Sequence, residues 1–248
     1  MAFTGFCIGG LMPGLSMAQE EGSDATPWRV GLGVAGMERA YTGSDRKTIV
    51  FPNISYENKY VRIAGLGADV KLGNSSDFSY ALRMKYAPGD GYKSGDAPIL
   101  SGMQNRQGSL WVGPALKWNT ELARLTFEAL GDSLGKSKGF QARLMAEHDF
   151  RTHAFVFTPH VAAEWVDRKY VDYYYGVKAS EATGARSAYA GQSALNLEAG
   201  LRSAFMISPT DAIVGDASVK KLGSAITQSP LVDKKSTPVF FLGYMHRF

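Results

Sequence analysis

The chain has 248 residues, of which 45% are hydrophobic and 20% are charged, and its formal net charge at pH 7 is +4. This length fits one domain or two small ones, and so small and dispersed a charge argues against a nucleic-acid-binding protein. Beyond the N-terminus the chain has no long uncharged apolar stretch, so no transmembrane helix is predicted, whereas an alternating transmembrane β-barrel stays compatible with this composition.

The N-terminal segment has the features of an export signal. Residues 1–18 contain no charged side chain and end in "SMA", directly before "QEEG". Small residues at alternate positions ahead of an acidic segment are typical of a signal-peptidase cleavage site. We therefore predict a secretory signal peptide over residues 1–18 and a mature chain over residues 19–248.

Apolar and polar residues alternate with a period of two through most of the remaining chain, which predicts β-strands with two different faces. In residues 78–86, for example, Phe78, Tyr80 and Leu82 face one side, whereas Arg83 and Lys85 face the other. We find no convincing helical period. In chain order the predicted strands are 27–38, 48–57, 59–72, 78–86, 108–119, 121–131, 139–150, 154–166, 194–205, 211–222 and 238–248.

The lengths of the strands and of their connections favour a membrane barrel over a soluble sandwich. Each strand has about ten residues, the length that a tilted strand needs to cross a bilayer, whereas strands of soluble proteins are usually shorter. Short connections with long ones between them are typical of outer-membrane barrels, which have tight periplasmic turns and longer outer loops. The short connections lie near 57–59, 119–121, 151–153 and 208–210, and the long ones at 39–47, 87–107, 167–192 and 223–237.

The count of predicted strands is odd, whereas bacterial single-chain barrels have an even number. The conflict lies between residues 57 and 87, where the long strand 59–72 contains "GLG" at 65–67. Either this strand is broken at the glycines or one strand does not span the membrane. We therefore predict an all-β protein, a transmembrane antiparallel barrel of the outer membrane over residues 19–248, with twelve strands favoured and ten as the alternative.

Charged residues lie on the polar faces of the predicted strands, which would line the lumen. Their signs are mixed and roughly balanced, so long side chains can pair across a small barrel and fill it. This favours a plugged structural barrel over a general diffusion pore and leaves a narrow selective pore open. The predicted network comprises Arg83, Arg124, Glu128, Arg143, Glu147, Glu164, Glu198 and Arg202.

No catalytic constellation is evident in the sequence. His160 shares a strand face with Glu164, a pairing that we interpret as a lumen salt bridge rather than a general base. Metal-ligand spacings, a nucleophile elbow and a phosphate-binding loop are not found. We predict neither enzymatic activity nor a cofactor.

A segment rich in aromatic residues, "WVDRKYVDYYYGV" at 165–177, follows one of the strands. Such residues are enriched at interface hot spots, and they also form the girdle that anchors barrels at the membrane boundary. A contact surface for a partner and a membrane girdle therefore both stay open for this segment. The candidate contact residues are Trp165, Tyr170, Asp172, Tyr173, Tyr174 and Tyr175.

Several segments resemble the MipA/OmpV family of Gram-negative outer-membrane proteins, and the resemblance extends from about residue 28 to residue 248. The most specific is "DYYYGVKASEA" at 172–182. The others are "YKSGDAPILSGMQNRQGSLWVGPALKW" at 92–118, "SPLVD" at 229–233, the C-terminal "FFLGYMHRF" and, near the N-terminus, "GLGVAGMERAYTGSDRKTIVFPNISYENKYV".

The resemblance implies a barrel inserted by the outer-membrane assembly machinery. Apolar side chains occupy one face of the last strand up to the final residue, although the C-terminal residues of soluble domains are usually frayed. The last strand resembles the signal that this machinery reads, with Phe240, Leu242, Tyr244 and Phe248 as the recognised residues.

The resemblance also implies a scaffold that gathers peptidoglycan enzymes, namely a lytic transglycosylase and a synthase. The alternatives are a narrow channel for small solutes or drugs and a surface adhesin. The expected partners are thus outer-membrane lipid, the assembly machinery and these two enzymes.

Overall fold

The structure, a computed structural model, describes residues 28–248 and consists of one antiparallel sheet that closes into a barrel. The predicted signal peptide lies outside the described residues. The strands are β1 (Trp28–Met37), β2 (Lys47–Glu57), β3 (Val61–Ala64), β4 (Gly67–Asn74), β5 (Phe78–Ala87), β6 (Ser109–Asn119), β7 (Arg124–Asp132), β8 (Phe140–Glu147), β9 (Phe150–Arg151), β10 (Phe155–Val166), β11 (Ala194–Met206), β12 (Asp211–Lys221) and β13 (Ser236–Arg247).

Pairing of the first strand with the last one closes the barrel. Arg29 of β1 lies opposite Arg247 of β13, and the register continues to Met37 opposite Val239. The short strand β9 follows β8 directly and pairs with the same neighbour, β10, so β8 and β9 form one interrupted wall strand. The wall therefore has twelve strands, which confirms the favoured count and excludes the alternative of ten.

The break at the "GLG" sequence is what makes the count even. The predicted strand 59–72 is divided into β3 and β4 by a turn at Gly65 and Leu66. Gly65 has a φ of +55°, a left-handed conformation that is easy for glycine and costly for most other residues. The connection at 75–77 therefore lies on the same end of the barrel as the other short turns.

The two ends of the barrel differ in the length of their connections. We call one end the turn end, because its connections are 58–60, 75–77, 120–123, 152–154 and 207–210. The other is the loop end, which carries 38–46, 88–108, 133–139, 167–193 and 222–235. By the usual construction of outer-membrane barrels the turn end faces the periplasm and the loop end faces outward.

Within residues 28–248 helices occur only in the loops, and the sequence pattern did not predict them. The helix α1 (Arg168–Tyr175) lies within the aromatic segment, and α2 (Ser224–Thr227) is a single turn. The Asp167 side chain accepts a hydrogen bond from the Tyr170 N–H and so caps α1. α1 has only eight residues and buries Val171 and Tyr174, which is too short a periodic run to stand out among consecutive tyrosines.

The outer surface of the wall is apolar along its strands. Leu32, Val50 and Leu242 are 64%, 74% and 53% exposed, although each lies in a regular strand. Near the turn end the rings of Trp28 and Tyr56 lie 4.7 Å apart, as expected for an aromatic girdle at a membrane interface. Within residues 28–248 no helix is long and apolar enough to cross a membrane.

The closed seam between β1 and β13 leads to an electrophoretic prediction. We expect unboiled protein to migrate faster than boiled protein, because the closed barrel stays compact in detergent until heat separates its strands. Migration is compared on gels of outer-membrane fractions. Identical migration, together with recovery in the soluble periplasmic fraction, would contradict the barrel.

Candidate functional site: a cross-braced lumen beneath a lid of loops

One group of charges joins three wall strands around Glu128 on β7. Its carboxylate oxygens lie 2.7 Å from Arg83 Nη1 and 2.9 Å from Lys85 Nζ, both on β5. Arg83 also contacts Asp69 of β4, with 2.8 Å between Nε and Oδ1. Glu128 is 5% exposed, so these contacts lie inside the barrel and connect β4, β5 and β7.

A second group is centred on Glu147 of β8, whose side chain has no exposed surface. Its Oε1 lies 2.6 Å from Arg124 Nε on β7, and its Oε2 lies 3.0 Å from Arg202 Nη1 on β11. Arg202 also contacts Asp216 of β12, with 3.6 Å between Nε and Oδ2. Glu147 thus holds two cationic side chains, one from the neighbouring strand β7 and one from β11 on the other side of β10.

A third group lies nearer the loop end. Arg143 Nη2 lies 2.8 Å from Glu198 Oε1, and Arg143 Nη1 lies 3.9 Å from Glu164 Oε1. Glu164 also accepts hydrogen bonds from Lys220 Nζ at 3.0 Å and from Asn196 Nδ2 at 3.1 Å. All eight charged residues of the predicted network therefore point into the lumen, and each lies within about 4 Å of an opposite charge.

The sequence analysis did not name every member of these groups. Asp69 lies in the predicted strand that is broken in two, whereas Asp216 and Lys220 lie on the inward face of β12. The alternation with a period of two on β12 would have identified Asp216 and Lys220 as inward-facing residues. His160 is brought not to Glu164 but to Glu198 and Asp216, at 3.7 and 4.0 Å from its Nε2.

Apolar side chains fill another part of the lumen. Ala35, Phe241 and Met245 belong to a buried cluster of inward-facing residues, against which Ile49 and Phe51 of β2 pack. The rings of Phe51 and Phe241 lie 5.9 Å apart. The interior is therefore occupied by ion pairs on one side and by packed apolar side chains on the other.

The loops at the loop end interlock into a lid. Arg106, in the loop 88–108, lies 2.9 Å from Glu181 in the loop 167–193, and the two side chains are only 5% and 4% exposed. Arg186 donates hydrogen bonds to the carbonyl oxygens of Glu181, Ile99 and Ser101. These contacts join residues far apart in sequence, so the sequence pattern gave no signal for them.

Further contacts connect the lid to the remaining loops. Tyr41 Oη donates to the Tyr174 carbonyl oxygen at 3.1 Å, and Ser229 Oγ donates to the Tyr175 carbonyl oxygen at 2.6 Å. Tyr189 Oη donates to the Ala225 carbonyl oxygen at 2.7 Å. The loops 38–46, 167–193 and 222–235 are thereby held together over the barrel mouth.

The aromatic segment is divided between the wall and this lid. Trp165 lies on β10, is 41% exposed and faces outward, and its ring centroid is 6.3 Å from that of Phe140. Tyr174 is 1% exposed, and Tyr170, Tyr173 and Tyr175 are half-buried. Asp172 is exposed, and its Oδ1 accepts a hydrogen bond from the Gly191 N–H. The assignment of this segment to a partner stays a prediction.

The last strand presents its predicted recognition residues outward. Phe240, Leu242, Tyr244 and Phe248 are between 40% and 62% exposed. Phe241 and Met245, at the alternate positions, are buried in the lumen. Recognition by the assembly machinery stays a prediction.

A chamber of about 210 Å³ lies inside the barrel beneath the lid. It is lined by Tyr170 and Tyr175 of α1 and by charged residues of the wall and loops, with equal numbers of cations and anions. The cations are Arg39, Lys85, Arg143, Arg202 and Lys220, and the anions are Glu38, Asp90, Glu164, Glu198 and Asp216. In residues 28–248 no cluster of His, Cys, Asp and Glu is suited to hold a metal ion.

Asp90 and Glu181, both in the loops, have shifted pKa values. Burial raises the pKa of Asp90, which lines the chamber, to about 6, although the charge of Lys220 opposes this effect. Burial alone would also raise the pKa of Glu181. Hydrogen bonds from the N–H groups of Gln104 and Lys178, together with Arg106, instead hold the pKa of Glu181 below its usual range.

Replacing Arg106 with alanine is expected to loosen the lid. The change leaves Glu181 buried without its cation, which costs about 2 kcal/mol and raises the open fraction of the lid roughly thirtyfold. Limited proteolysis of the loops 88–108 and 167–193 measures this, with Arg168→Ala, an exposed arginine on α1, as the control. Equal cleavage of both variants would contradict the lid contact.

The lowered pKa of Glu181 predicts how this contact depends on pH. A carboxyl group with a lowered pKa stabilises the folded lid above its ordinary pKa, and this contribution is lost as the pH falls through the lowered value. We therefore expect the wild-type lid to resist proteolysis at neutral pH and to loosen in acid, with a smaller change for Arg106→Ala.

Comparison with known proteins places the chain among outer-membrane proteins. Two similar proteins of Escherichia coli (strain K12) are YiaT, 25% identical over 90% of this chain and 92% of its own length, and "MltA-interacting protein", 25% identical over 88% and 89%. "Outer membrane protein OmpV" of Vibrio cholerae is 23% identical over 83% and 80%. The solved NanC porin has a TM-score of 0.48 and 9% identity, over 88% of this chain and 100% of its own.

The family assignment rests on a match over almost the whole described chain. A family model described as "MltA-interacting protein MipA" matches residues 30–248, nearly the same span as the resemblance seen in the sequence. The barrel and the outer-membrane relatives agree in locating the protein in the outer membrane. The chain therefore belongs to the MltA-interacting protein MipA family of outer-membrane barrels.

Proposed function

We propose that the protein is a non-enzymatic, non-conducting scaffold that gathers a lytic transglycosylase and a peptidoglycan synthase at the outer membrane. The observation that carries this proposal is the filled interior. Ion pairs around Glu128, Glu147 and Glu198 brace the lumen, the cluster around Phe241 fills another part of it, and the loops cover its mouth. A barrel built in this way offers its surface to partners rather than a path to solutes.

The name of one relative supports the choice of partner. The Escherichia coli protein named "MltA-interacting protein" is similar over 88% of this chain. At 25% identity this supports the role without fixing which enzymes this chain contacts. This relative and OmpV are named as an interacting protein and an outer-membrane protein rather than as enzymes, in agreement with a non-enzymatic role.

The contact with cell-wall enzymes would lie at the turn end, because the cell wall is on the periplasmic side of the outer membrane. Apolar side chains stand out there: Leu122 is 85% exposed, Tyr60 61% and Ile207 53%. The aromatic segment lies at the opposite end, and Tyr174 is buried in the lid. A contact through that segment would use its more accessible members, such as Trp165 and Tyr173, and would suit a partner at the cell surface.

A capture experiment tests the scaffold. The tagged barrel is used as bait on solubilised cell envelopes, and captured lytic transglycosylase and synthase are identified by mass spectrometry. We expect Leu122→Asp to reduce this capture, and Tyr173→Ala at the loop end to leave it unchanged. Capture of neither enzyme by the wild-type barrel would contradict the scaffold.

The chamber beneath the lid keeps a narrow channel for small solutes as the second candidate function, and conductance distinguishes the two. In planar bilayers we expect no steady conductance from the wild-type barrel, because side chains fill its lumen. The lid variant Arg106→Ala tests whether the lumen stays closed without an intact lid. Stable ion-selective openings of the wild-type protein would favour the channel.

A further inference from the structure

The barrel wall has an opening on one side, between the short hairpin formed by β3 and β4 and the loop end of the barrel. β2 pairs with β1 from Lys47 to Tyr56, but with β3 only from Ser55 to Glu57. Of the contacts between β2 and this hairpin, the one nearest the loop end is a hydrogen bond from the Gly65 N–H to the Ile54 carbonyl oxygen. Among residues 28–248, no strand pairs with the remaining edge of β2.

The far side of this opening is formed by β5. β4 reaches β5 at Gly67, which lies opposite Lys85, and the Tyr86 N–H donates to the Leu66 carbonyl oxygen. After Ala87 the chain continues into the short helix Pro88–Asp90, which lines the chamber. Two strands are thus missing between β2 and β5 above the hairpin, and at regular strand spacing such a gap corresponds to roughly 14 Å.

The free edge of β2 is unsuited to a further strand. The Ile54 carbonyl oxygen faces β3, and backbone groups two residues apart in a strand face the same side, so those of Pro52 and Val50 face the opening. Pro52 has no N–H to donate, and proline is a common means of preventing strand addition at an edge. Unpaired backbone at membrane depth is tolerated where it lines a polar cavity.

The rim of the opening is apolar. It is formed by Val50, Pro52, Leu66 and Tyr86, and Val50, Leu66 and Tyr86 are 74%, 40% and 44% exposed. Acyl chains of the outer leaflet can therefore contact the rim without meeting a charge.

The polar chamber reaches the β5 side of this opening. Lys85 and Ala87, which flank the opening on β5, also line the chamber, as does Met37, which lies opposite Lys47 in the β1–β2 register. The apolar rim at Tyr86 thus lies between two residues that line the polar chamber.

Several buried polar atoms of the chamber have no hydrogen-bond partner. Asp216 is 4% exposed, and its oxygens make no hydrogen bond of normal geometry, although Arg202 Nε lies 3.6 Å from Oδ2 and Ser218 lies beside the carboxylate. His160, also 4% exposed, has no hydrogen-bond partner at Nδ1. Arg202 Nε and Trp111 Nε1 are likewise in no hydrogen bond of normal geometry, although Trp111 lies beside Asp90. The chamber thus holds donors and acceptors whose contacts within the barrel are long or imperfect, whereas buried polar groups normally find good partners.

We propose that the chamber binds the polar head group of an amphiphile that enters sideways from the outer leaflet, while its apolar tail stays in the lateral opening. The balanced charges of the chamber select a neutral or zwitterionic head group that both donates and accepts hydrogen bonds. Such a ligand needs no path across the membrane. The site can therefore exist in a barrel that does not conduct.

Trp111 supplies a reporter for this site, because it lines the chamber and has no exposed surface. A protein with Trp28, Trp118 and Trp165 changed to phenylalanine retains Trp111 alone. Its fluorescence is measured in mixtures of dodecyl maltoside and the same detergent brominated on the alkyl chain, since bromine quenches nearby tryptophan. Maltoside is a neutral head group rich in hydroxyl donors and acceptors.

Two labelled variants test the opening. The label of the first lies at the rim and blocks the opening, whereas the label of the second lies away from the rim. Residues 28–248 contain no cysteine, so Leu66→Cys at the rim and Leu72→Cys on β4, both exposed, each accept one bulky maleimide in a Cys7→Ser background. We expect saturable quenching of Trp111 that is lost with the label at position 66 and kept with the label at position 72. The faster migration of unboiled protein verifies that each variant is folded.

Two results would overturn the proposal. Quenching that is equal in both labelled variants would mean that bromine reaches Trp111 through the wall rather than through the opening. Absence of quenching in the unlabelled protein would mean that the chamber contains water and binds no amphiphile.

Discussion

Replacing Glu147 with glutamine is expected to destabilise the barrel by roughly 3–5 kcal/mol, because it removes one partner from a buried ion pair. The Glu147 side chain has no exposed surface and contacts Arg124 and Arg202 at 2.6 and 3.0 Å. Without its charge, two guanidinium groups face each other in a confined space. The free energy of unfolding is measured by urea titration of the refolded barrel in detergent micelles.

Glu57→Gln is the matched control, since it makes the same chemical change at a more accessible ion pair. The Glu57 side chain is 39% exposed and lies 2.7 Å from Lys71, and such pairs contribute under about 1 kcal/mol. Similar decreases in the free energy of unfolding for both variants would mean that water screens the ion pairs in the lumen. Near-neutral values for both, together with steady conductance, would favour a wet pore over a braced scaffold.

Changing both Tyr244 and Phe248 to serine is expected to block assembly into the outer membrane while export continues. The two side chains are 44% and 62% exposed, and they belong to the C-terminal segment of β13, the strand that closes the barrel, and the residue directly after it. An incoming strand whose backbone is still unpaired can add to an edge of the assembly machine, and its side chains select it. Quantitative blotting of outer-membrane and periplasmic fractions measures the loss, which we expect to be nearly complete.

The control for this prediction is Leu32→Ser with Val50→Ser, which removes two outward apolar side chains from β1 and β2. Leu32 and Val50 are 64% and 74% exposed, so the loss of lipid contact is comparable, whereas the last strand is unchanged. Normal outer-membrane levels of the Tyr244 and Phe248 variant would show that these residues only contact lipid.

The sequence predicted the wall much better than the lid. Alternation specifies both the strand and the face, because each inward residue of a barrel meets a different solvent from its neighbours. Arg143 and Glu198 could therefore be assigned to the lumen from their strand register alone. The break at Gly65 was one of two options, because glycine permits a turn without requiring one.

The lid could not be predicted in the same way. Arg106, Glu181 and Arg186 lie in loops without periodicity, and their contacts depend on how the barrel brings distant loops together. The same holds for the helix α1, since Val171 and Tyr174 are buried only against the loop ends of wall strands and against other loops, which the sequence pattern does not bring together. The lateral opening was hidden because a short hairpin and a long one leave nearly the same alternation in the sequence.

The pairing of β1 with β13 has a consequence for how the cell disposes of incomplete chains. This pairing is the most distant in sequence within the barrel, so it cannot form until β13 has been synthesised. A product truncated before β13 leaves β1 without its neighbour, and the remaining strands form an open sheet. Such a chain stays a substrate for periplasmic proteases. The synthesis of β13 and resistance to degradation are thus coupled through the pairing of two strands.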